Sequence, residues 1–224
     1  MSPVLAIDVG GSHVKVLLEG ETESRRADSG PQLSPKRMVA TAKQLADGWS
    51  FDHVSDGIPA PVHGGKIVSD PVNLGSGWVG FDFDEAFGVA TRVVNDAAMQ
   101  ALGSYEDGTM LFLGLGTGLG SALVQAGVVQ PMELGHLPYR KATFEDYVGN
   151  AGLVRHGKKR WRRYVDDVVV RLAAALEPDY VVLGGGNSAK LLELPPNSRL
   201  GLNTNAFIGG FRIWDPQAPA SIPG

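Results

Sequence analysis

The sequence contains two glycine-rich stretches of similar design, Asp8-Val9-Gly10-Gly11-Ser12-His13-Val14-Lys15 and Gly114-Leu115-Gly116-Thr117-Gly118-Leu119-Gly120. In both, a short apolar run leads into a glycine-rich turn and then into a second apolar run, a pattern that predicts strand, tight turn and strand. Aligning Asp8 with Gly114 gives an offset of 106 residues, close to half of the 224-residue chain. The sequence therefore predicts two structurally related halves.

The repeat suggests a division of the chain into two lobes and a tail. We expect an N-terminal lobe over 1–107, a C-terminal lobe over 108–214 and a coil tail over 215–224. No low-complexity linker separates the halves, so the boundary near Asp107 follows from the repeat alone.

Composition excludes several classes of protein. The chain has 20 Lys and Arg against 24 Asp and Glu, a net charge of -4, so it does not attract nucleic acid or anionic membranes as a whole. We therefore expect neither as a partner. There is no cysteine, which excludes disulfides, thiolate nucleophiles and cysteine zinc sites and fits a reducing compartment.

Membrane and export signals are also missing from the sequence. No apolar stretch approaches the roughly 18 residues of a membrane span. The segment 1–8 lacks the basic region and the small-residue cleavage site of a signal peptide. The sequence therefore predicts a cytoplasmic protein.

The two glycine-rich turns are candidate phosphate-binding loops. The first can present backbone N–H groups to a phosphate, and Asp8 could organise a hydrated metal ion, although an ordinary hairpin explains this turn equally well. In the second, the glycines at alternate positions around Thr117 exceed what a hairpin needs, which favours phosphate contact. It is not a dinucleotide-binding motif, because Leu119 stands where the third glycine is required.

Asn95-Asp96 follows a predicted strand over 91–94 and precedes an alanine-rich helix that Gly103 ends. A carboxylate at a strand end can act as a general base that accepts a hydroxyl proton. Capping of the helix by Asn95 or Asp96 is the more common explanation of such a pair, and both roles can hold together. Two further helices are predicted over 35–46 and 164–176.

Two polar segments in the second half are candidate ligand sites. Glu133 and His136 lie three residues apart and can both hydrogen-bond sugar hydroxyls, although a loop with a satisfied histidine is the plainer interpretation. Six cations fall within the nine residues from Arg155 to Arg163. Such a run is usually a solvated helix face, and the functional alternative is an anchoring surface for a polyanion such as a phosphate chain.

Taken together, these motifs resemble the ROK family (repressor, open reading frame, kinase) of actin-like sugar kinases, and within it the glucokinases and polyphosphate glucokinases. The resemblance runs from Leu5 to Trp214 in the family's order. It includes the loop 57–61 and the run Gly184-Gly185-Gly186-Asn187. The family's cysteine-rich zinc motif is missing and 139–144 stands in its place, which implies a sugar loop ordered by packing and no zinc.

The resemblance implies an α/β chain with the two-lobed, actin-like ATPase (ribonuclease H-like) fold and an active site in the cleft between the lobes. It implies that Asp96 is the general base. The implied sugar-binding residues are Asn73, Asn95, Glu133, His136 and Glu145. The residues implied for the donor phosphates and nucleotide are Asp8, Gly10, Gly11, Ser12, Lys15, Gly116, Thr117, Gly118, Gly185, Gly186 and Asn187.

The resemblance also implies Mg²⁺ that arrives with the donor phosphates near Asp8, and a homodimer. The stretches 144–149 and 157–161 are similar to those of polyphosphate glucokinases, whereas the sugar loop is similar to that of ATP-dependent members. Either ATP or polyphosphate is therefore expected as donor. The expected function is phosphorylation of the 6-hydroxyl of glucose. The alternatives are a kinase for fructose, mannose or an N-acetylhexosamine, and a sugar sensor without catalysis.

Overall fold

The computed structural model describes residues 3–202 and 204–223. The first two residues of the predicted N-terminal lobe, residue 203 of the predicted C-terminal lobe and the last residue of the predicted tail lie outside the described residues. The first half contains β1 (Val4–Val9), β2 (His13–Leu18), β3 (Arg25–Asp28), α1 (Pro35–Leu45), β4 (His53–Ile58), β5 (Val62–His63), β6 (Lys66–Ile67), α2 (Phe83–Phe87), β7 (Ala90–Asn95) and α3 (Asp96–Ser104).

The second half contains β8 (Met110–Leu115), β9 (Leu119–Gln125), β10 (Val128–Met132), β11 (Pro138–Tyr139), β12 (Ala142–Thr143), α4 (Phe144–Val148), α5 (Asn150–Leu176), β13 (Tyr180–Gly184), β14 (Ser198–Leu200) and α6 (Asn205–Arg212). Two short 3₁₀ helices lie at Leu134–His136 and Ser188–Lys190. None of the helices within 3–202 and 204–223 is long and apolar enough to cross a membrane.

Each half builds a five-stranded sheet with the same topology. The first sheet has the order β3-β2-β1-β4-β7 and the second has the order β10-β9-β8-β13-β14. In the first, β1 pairs antiparallel with β2 and parallel with β4; in the second, β8 pairs antiparallel with β9 and parallel with β13. The glycine-rich turns join β1 to β2 and β8 to β9. The predicted repeat of strand, turn and strand is therefore confirmed.

The central strand of each sheet is buried because helices cover both of its faces. Every residue of β1 is buried. Leu5 and Ile7 face one side and pack in a cluster that includes Met38 of α1, whereas Ala6 faces the other side and packs against Phe207 of α6. Continuous apolar runs such as 4–7 and 110–113 are the pattern expected of strands covered on both faces.

Two helices cross over between the sheets. The helix α3 follows the last strand of the first sheet but packs on the second sheet, where Ala97 and Ala98 join a cluster with Met110 and Phe112. In return, α6 follows the second sheet and packs on β1 and β4 of the first. A division of the chain near residue 107 therefore separates α3 from the sheet that it covers.

Residues 215–223 are attached to the second sheet. Ser221 forms a bridge to Val128 of β10, with hydrogen bonds of 2.8 Å to the neighbouring Gly127 and Val129. Ala220 is buried beside them. The expected coil thus lies along the edge strand.

The crossing of α3 and α6 depends on glycine at the contact. A Cβ built on Gly103 would lie 2.7 Å from the Gly209 nitrogen, and one built on Gly209 would overlap the carbonyl group of Met99. Side chains clamp the same crossing, since the Asn205 amide donates to the Ser104 hydroxyl at 2.8 Å. The close approach sets the distance between the two sheets.

We predict that Gly209→Ala lowers the free energy of unfolding by about 3 kcal/mol, because the added methyl forces the helices apart in a close-packed region. Gly186→Ala is the matched control for stability, since a Cβ there meets no atom within 4 Å. Urea denaturation of both variants checks the prediction. Equal stabilities would show that the crossing is not closely packed.

Candidate active site

The two glycine-rich loops lie next to each other, one from each half of the chain. A Cβ placed on Gly11 of the first loop would lie 3.4 Å from the Thr117 hydroxyl of the second and 3.6 Å from the Cβ of Asn73. Three segments predicted to bind substrates, far apart in the sequence, therefore meet at one point.

The first loop is held in shape by its own hairpin and by Ser29. Gly10 donates its N–H to the His13 carbonyl at 2.9 Å, so this donor is already occupied. The Ser29 hydroxyl donates to the Gly10 carbonyl at 2.5 Å, and the Ser29 N–H donates to the Ser12 carbonyl at 3.0 Å. Gly10 therefore shapes the turn, and the neighbouring N–H groups of Gly11 and Ser12 are better placed to bind a phosphate.

Asp8 and Lys15 form an ion pair at the base of the first loop. The Lys15 Nζ lies 2.9 Å from Asp8 Oδ2, and the two residues are opposite each other in the β1–β2 register. The carboxylate is largely buried, whereas the ammonium group is about one-third exposed. The pair thus places one negative and one positive group beside the loop that was predicted to bind phosphate.

The second loop is supported by the start of α5. The N–H of Asn150 is shared between the carbonyls of Gly116 and Thr117, at 3.0 and 3.1 Å. Gly116 donates its N–H to the Gly118 carbonyl at 3.2 Å. On the other side, Gly120 approaches α3 so closely that a Cβ would lie 3.0 Å from that of Ala97. The loop therefore contacts both α5 and the helix that begins with Asp96.

Asp96 is the first residue of α3, and its carboxyl group has a raised pKa. Its pKa is raised to about 7, chiefly by burial and then by the nearby Asp8 and Glu133, while the Ala97 N–H, which donates to Asp96 Oδ1 at 2.8 Å, acts in the opposite direction. A carboxylate with a pKa near 7 can both hold and release a proton at physiological pH, as a general base must. This acidity is the electrostatic feature that most favours a catalytic role.

Asn95 caps α3, as the sequence allowed. Its Oδ1 accepts from the Ala98 N–H at 3.1 Å, and its Nδ2 donates to the Ala60 carbonyl at 3.1 Å. The side chain therefore fixes both the start of α3 and the loop after β4. Contact with a sugar stays a prediction, because these protein bonds use much of the amide.

The carboxylates of Glu133 and Glu145 lie on either side of the exposed His136 imidazole. His136 Nδ1 lies 4.0 Å from Glu133 Oε2, and His136 Nε2 lies 3.7 Å from Glu145 Oε1. Partial burial raises the pKa of Glu133, His136 lowers it and Glu145 raises it. All three side chains keep substantial exposure, so their hydrogen-bonding groups are available to a polyol.

Aromatic packing orders the segment that stands where the family's zinc motif is expected. Tyr139 is buried, and its ring lies 5.2 Å from that of Phe144 and 5.1 Å from that of Tyr147. The same rings support α4, whose second residue is Glu145. The implied packing of this loop is therefore present.

Gly185 to Asn187 lie beside the second loop. Gly185 has a φ of +81° and touches the backbone of Leu115, so only glycine fits there. The buried Asn187 amide donates to the Gly116 carbonyl at 3.2 Å and accepts from Lys190. Asn187 therefore supports the loop through protein contacts, and its predicted contact with a nucleotide stays a prediction.

The basic run is linked through Arg162 to the residues beside the second loop. The Arg162 Nε donates to the Lys190 carbonyl at 2.7 Å, and Lys190 is the residue that bonds Asn187. Trp161 is fully buried and donates to the Val148 carbonyl at 2.7 Å, which anchors this part of α5. The cations that remain exposed are Arg155, Lys158, Lys159, Arg160 and Arg163.

Three supporting residues were not predicted. Ser29 clamps the first loop, Lys190 links Asn187 to the basic run, and Asp70 accepts the N–H groups of residues 77–79 in the loop that carries Asn73. Those backbone donors lower the pKa of Asp70. Each acts on a distant main-chain group, and a single sequence contains no motif that signals such a contact.

Two sheets of equal order, two facing phosphate-type loops and a carboxylate at the start of the crossing helix define the actin-like class of fold found in ROK sugar kinases. The expected fold is confirmed by the structural comparisons. The inorganic polyphosphate/ATP-glucomannokinase of Arthrobacter sp. strain KM has a TM-score of 0.81 at 22% identity, covering 94% of this chain and 97% of that one. A ROK family glucokinase from Streptomyces griseus, solved with glucose and AMPPNP, has a TM-score of 0.77 at 16% identity, covering 93% and 97%.

Curated relatives agree with this class. A polyphosphate glucokinase of Mycobacterium tuberculosis is 27% identical over 210 residues, covering 82% of this chain and 77% of that protein. The polyphosphate glucokinase of Mycobacterium leprae is 26% identical over 207 residues, covering 82% and 63%. No protein-family model matches the chain. The resemblance to ROK glucokinases and polyphosphate glucokinases, predicted from the motifs, is thereby confirmed.

Proposed function

We propose that this chain is a hexose kinase that transfers the terminal phosphoryl group of inorganic polyphosphate or ATP to the 6-hydroxyl of glucose. The observation that carries the proposal is Asp96, a half-buried carboxylate with a pKa of about 7 at the start of α3, next to the second glycine loop. The names of the relatives support the substrate and the donors.

The proposed reaction uses Asp96 as the proton acceptor. The sugar hydroxyl attacks the terminal phosphorus, the new O–P bond forms as the bond to the rest of the donor breaks, and the hydroxyl proton passes to the Asp96 carboxylate. The donor leaves shorter by one phosphoryl group. Catalysis of this kind depends mainly on positioning and on charge stabilisation.

The residues that would hold the sugar come from both lobes, and Glu133 is close enough to Asp96 to raise its pKa. Glu133, His136 and Glu145 would bind hydroxyls from the second lobe, while Asn73 and Asn95 would bind from the first. A carboxylate and an imidazole bind vicinal hydroxyls well because they offer acceptors and donors in fixed positions. Closure of the lobes would exclude water from the phosphoryl group.

The residues that would hold the donor are the two facing loops and Lys15. The N–H groups of Gly11, Ser12, Thr117 and Gly118 would contact phosphate oxygens, and Lys15 would add a positive charge. Mg²⁺ usually binds through one or two carboxylates together with substrate phosphates, and the carboxylate of Asp8 beside the loop fits that arrangement. The ion would neutralise charge on the donor.

The basic run favours polyphosphate as a donor. The exposed cations lie on the same helix as the half-buried Arg162, which contacts Lys190 and through Asn187 the second loop. Such a row offers a phosphate chain more contacts than a single nucleotide needs. We predict that Lys158→Ala/Lys159→Ala raises the KM for long-chain polyphosphate about tenfold and leaves the KM for ATP within twofold. The control variant is Lys36→Ala/Lys43→Ala on α1. Equal effects on both donors would contradict an anchoring role, as would no effect on either.

The sugar assignment is tested by measuring turnover with a panel of hexoses. We expect phosphorylation of glucose with Mg²⁺ and at least one of the two donors. Mannose is the second candidate, because one structural neighbour is named a glucomannokinase. Binding of glucose without turnover on any donor would refute the kinase and favour a sensor. The homodimer and the cytoplasmic location stay predictions.

A further inference from the structure

A buried serine holds the main chain on both sides of Glu133. Ser121 lies in β9, and its side chain is 1% exposed. Its hydroxyl donates to the Met132 carbonyl at 2.7 Å and accepts from the Leu134 N–H at 3.1 Å. Met132 and Leu134 are the two neighbours of Glu133, so a single hydroxyl group fixes both peptide units around that residue.

The Ser121 hydroxyl occupies a position of β9 where an apolar side chain is expected. Leu119 and Leu123, two residues to either side along β9, belong to the apolar cluster of the second lobe, so an alternating strand would place another apolar residue at 121. A buried hydroxyl costs free energy unless its hydrogen bonds are made. Here both are made, one to the last residue of β10 and one to the first residue of the 3₁₀ turn, on the two sides of Glu133.

Glu133 itself lies between two elements, with Met132 paired in the sheet on one side and Leu134 buried in the core on the other. The strand β10 ends at Met132, the 3₁₀ turn begins at Leu134, and Glu133 between them has a φ of −107° and a ψ of 47°, outside both helix and strand geometry. The next turn depends on it, because the His136 N–H donates to the Glu133 carbonyl at 3.2 Å. The Ser121 hydroxyl therefore bonds both peptide units next to Glu133, and through the Glu133 carbonyl it also influences the turn that carries His136.

We propose that Ser121 is a positioning residue for sugar recognition: its hydroxyl sets the direction of Glu133, and so of His136, towards the bound hexose. The inference rests on the proposed hexose kinase function and adds to it a residue that does not touch substrate. Alanine at this position would leave the Met132 carbonyl and the Leu134 N–H without their partner, and the loop would be free to turn Glu133 away from the sugar.

The test is a double-mutant cycle between Ser121→Ala and Glu133→Ala. We expect Ser121→Ala to raise the KM for glucose about tenfold and to leave the KM for the donor within twofold. In the Glu133→Ala background, the same change should raise the KM for glucose less than twofold, because the group that it positions is already gone. Equal effects in the two backgrounds would overturn the proposal.

Two further variants separate positioning from lost stability. Ser104→Ala removes a hydroxyl that is equally buried and equally bonded, to the Gln100 carbonyl and the Asn205 amide, at the end of α3 opposite Asp96. It should match the loss of thermal stability of Ser121→Ala and leave the KM for glucose unchanged. Ser121→Thr keeps the hydroxyl and should restore most of the affinity. A threonine variant as weak as the alanine variant would overturn the proposal.

Calorimetric titration of glucose in the absence of donor repeats the cycle without turnover. Coupling between the two residues in glucose binding, with no phosphorylation of any hexose, would refute the kinase but keep the role of Ser121. Turnover without coupling would refute the role of Ser121 and keep the kinase.

Discussion

Replacing Asp96 with asparagine is expected to lower kcat for glucose phosphorylation by about a thousandfold while changing the dissociation constant for glucose less than threefold. Asparagine keeps the shape and the helix-start position of the side chain but cannot accept the proton of the attacking hydroxyl. Steady-state kinetics and calorimetric binding measure the two quantities separately. A loss of binding with normal kcat would assign Asp96 to sugar recognition instead.

The acidity of Asp96 adds a pH dependence to this expectation. The base is active when ionised, so the wild-type rate should rise as the pH passes through its pKa of about 7 and then level off. In Asp96→Asn the residual rate should lack that rise. Asp166→Asn is the control, since Asp166 is exposed on α5, and it should keep both the rate and the profile. An unchanged profile in Asp96→Asn would contradict the assignment.

Replacing Asp56 with valine is expected to raise the free energy of unfolding at pH 8 by about 2 kcal/mol. Asp56 lies in the middle of β4, is fully buried, and within 3–202 and 204–223 neither of its carboxylate oxygens has a hydrogen-bond partner. Burial raises its pKa well above the ordinary value, and Asp8 raises it further. Valine suits a buried strand and removes the unpaired polar group.

The sign of the pH dependence follows from the raised pKa. The native state holds the proton more tightly than the unfolded chain, so the stability of the wild type should fall as the pH rises from about 4, the unfolded value, towards the raised native pKa. Asp56→Asn removes this titration, so the difference between that variant and the wild type should grow from pH 4 to pH 8. Chemical denaturation at both pH values measures it. A constant difference would show that Asp56 is ionised in the native state.

The sequence was sufficient to predict the repeat and the loops because these depend on local chemistry. A glycine-rich turn between two short apolar runs favours a hairpin, so β1–β2 and β8–β9 were predictable. The pair Asn95-Asp96 at the junction of a strand and a helix was predictable for the same reason. The convergence of Glu133, His136 and Glu145 was implied only by the resemblance to a family.

Other elements escaped prediction because their signals are weak or distant. The apolar pattern expected of a buried strand is interrupted in β4 by Ser55, Asp56 and Gly57. The helix α6 begins in a polar segment and has no side-chain cap. Each of the helices α3 and α6 packs on the sheet of the other half. This packing depends on tertiary contacts such as that between Gly103 and Gly209, which a single sequence does not reveal. The helix α5 is longer than its periodic part and is broken at Gly157, which has a φ of +70°.

The most direct test of the proposed function is to follow glucose, Mg²⁺ and polyphosphate or ATP by phosphorus NMR, with the wild type beside Asp96→Asn. We predict that the wild type produces glucose 6-phosphate from at least one donor and that Asp96→Asn produces about a thousandfold less in the same time. Equal production by the two proteins would contradict the role of Asp96. No sugar phosphate from either donor with any hexose would contradict the kinase itself.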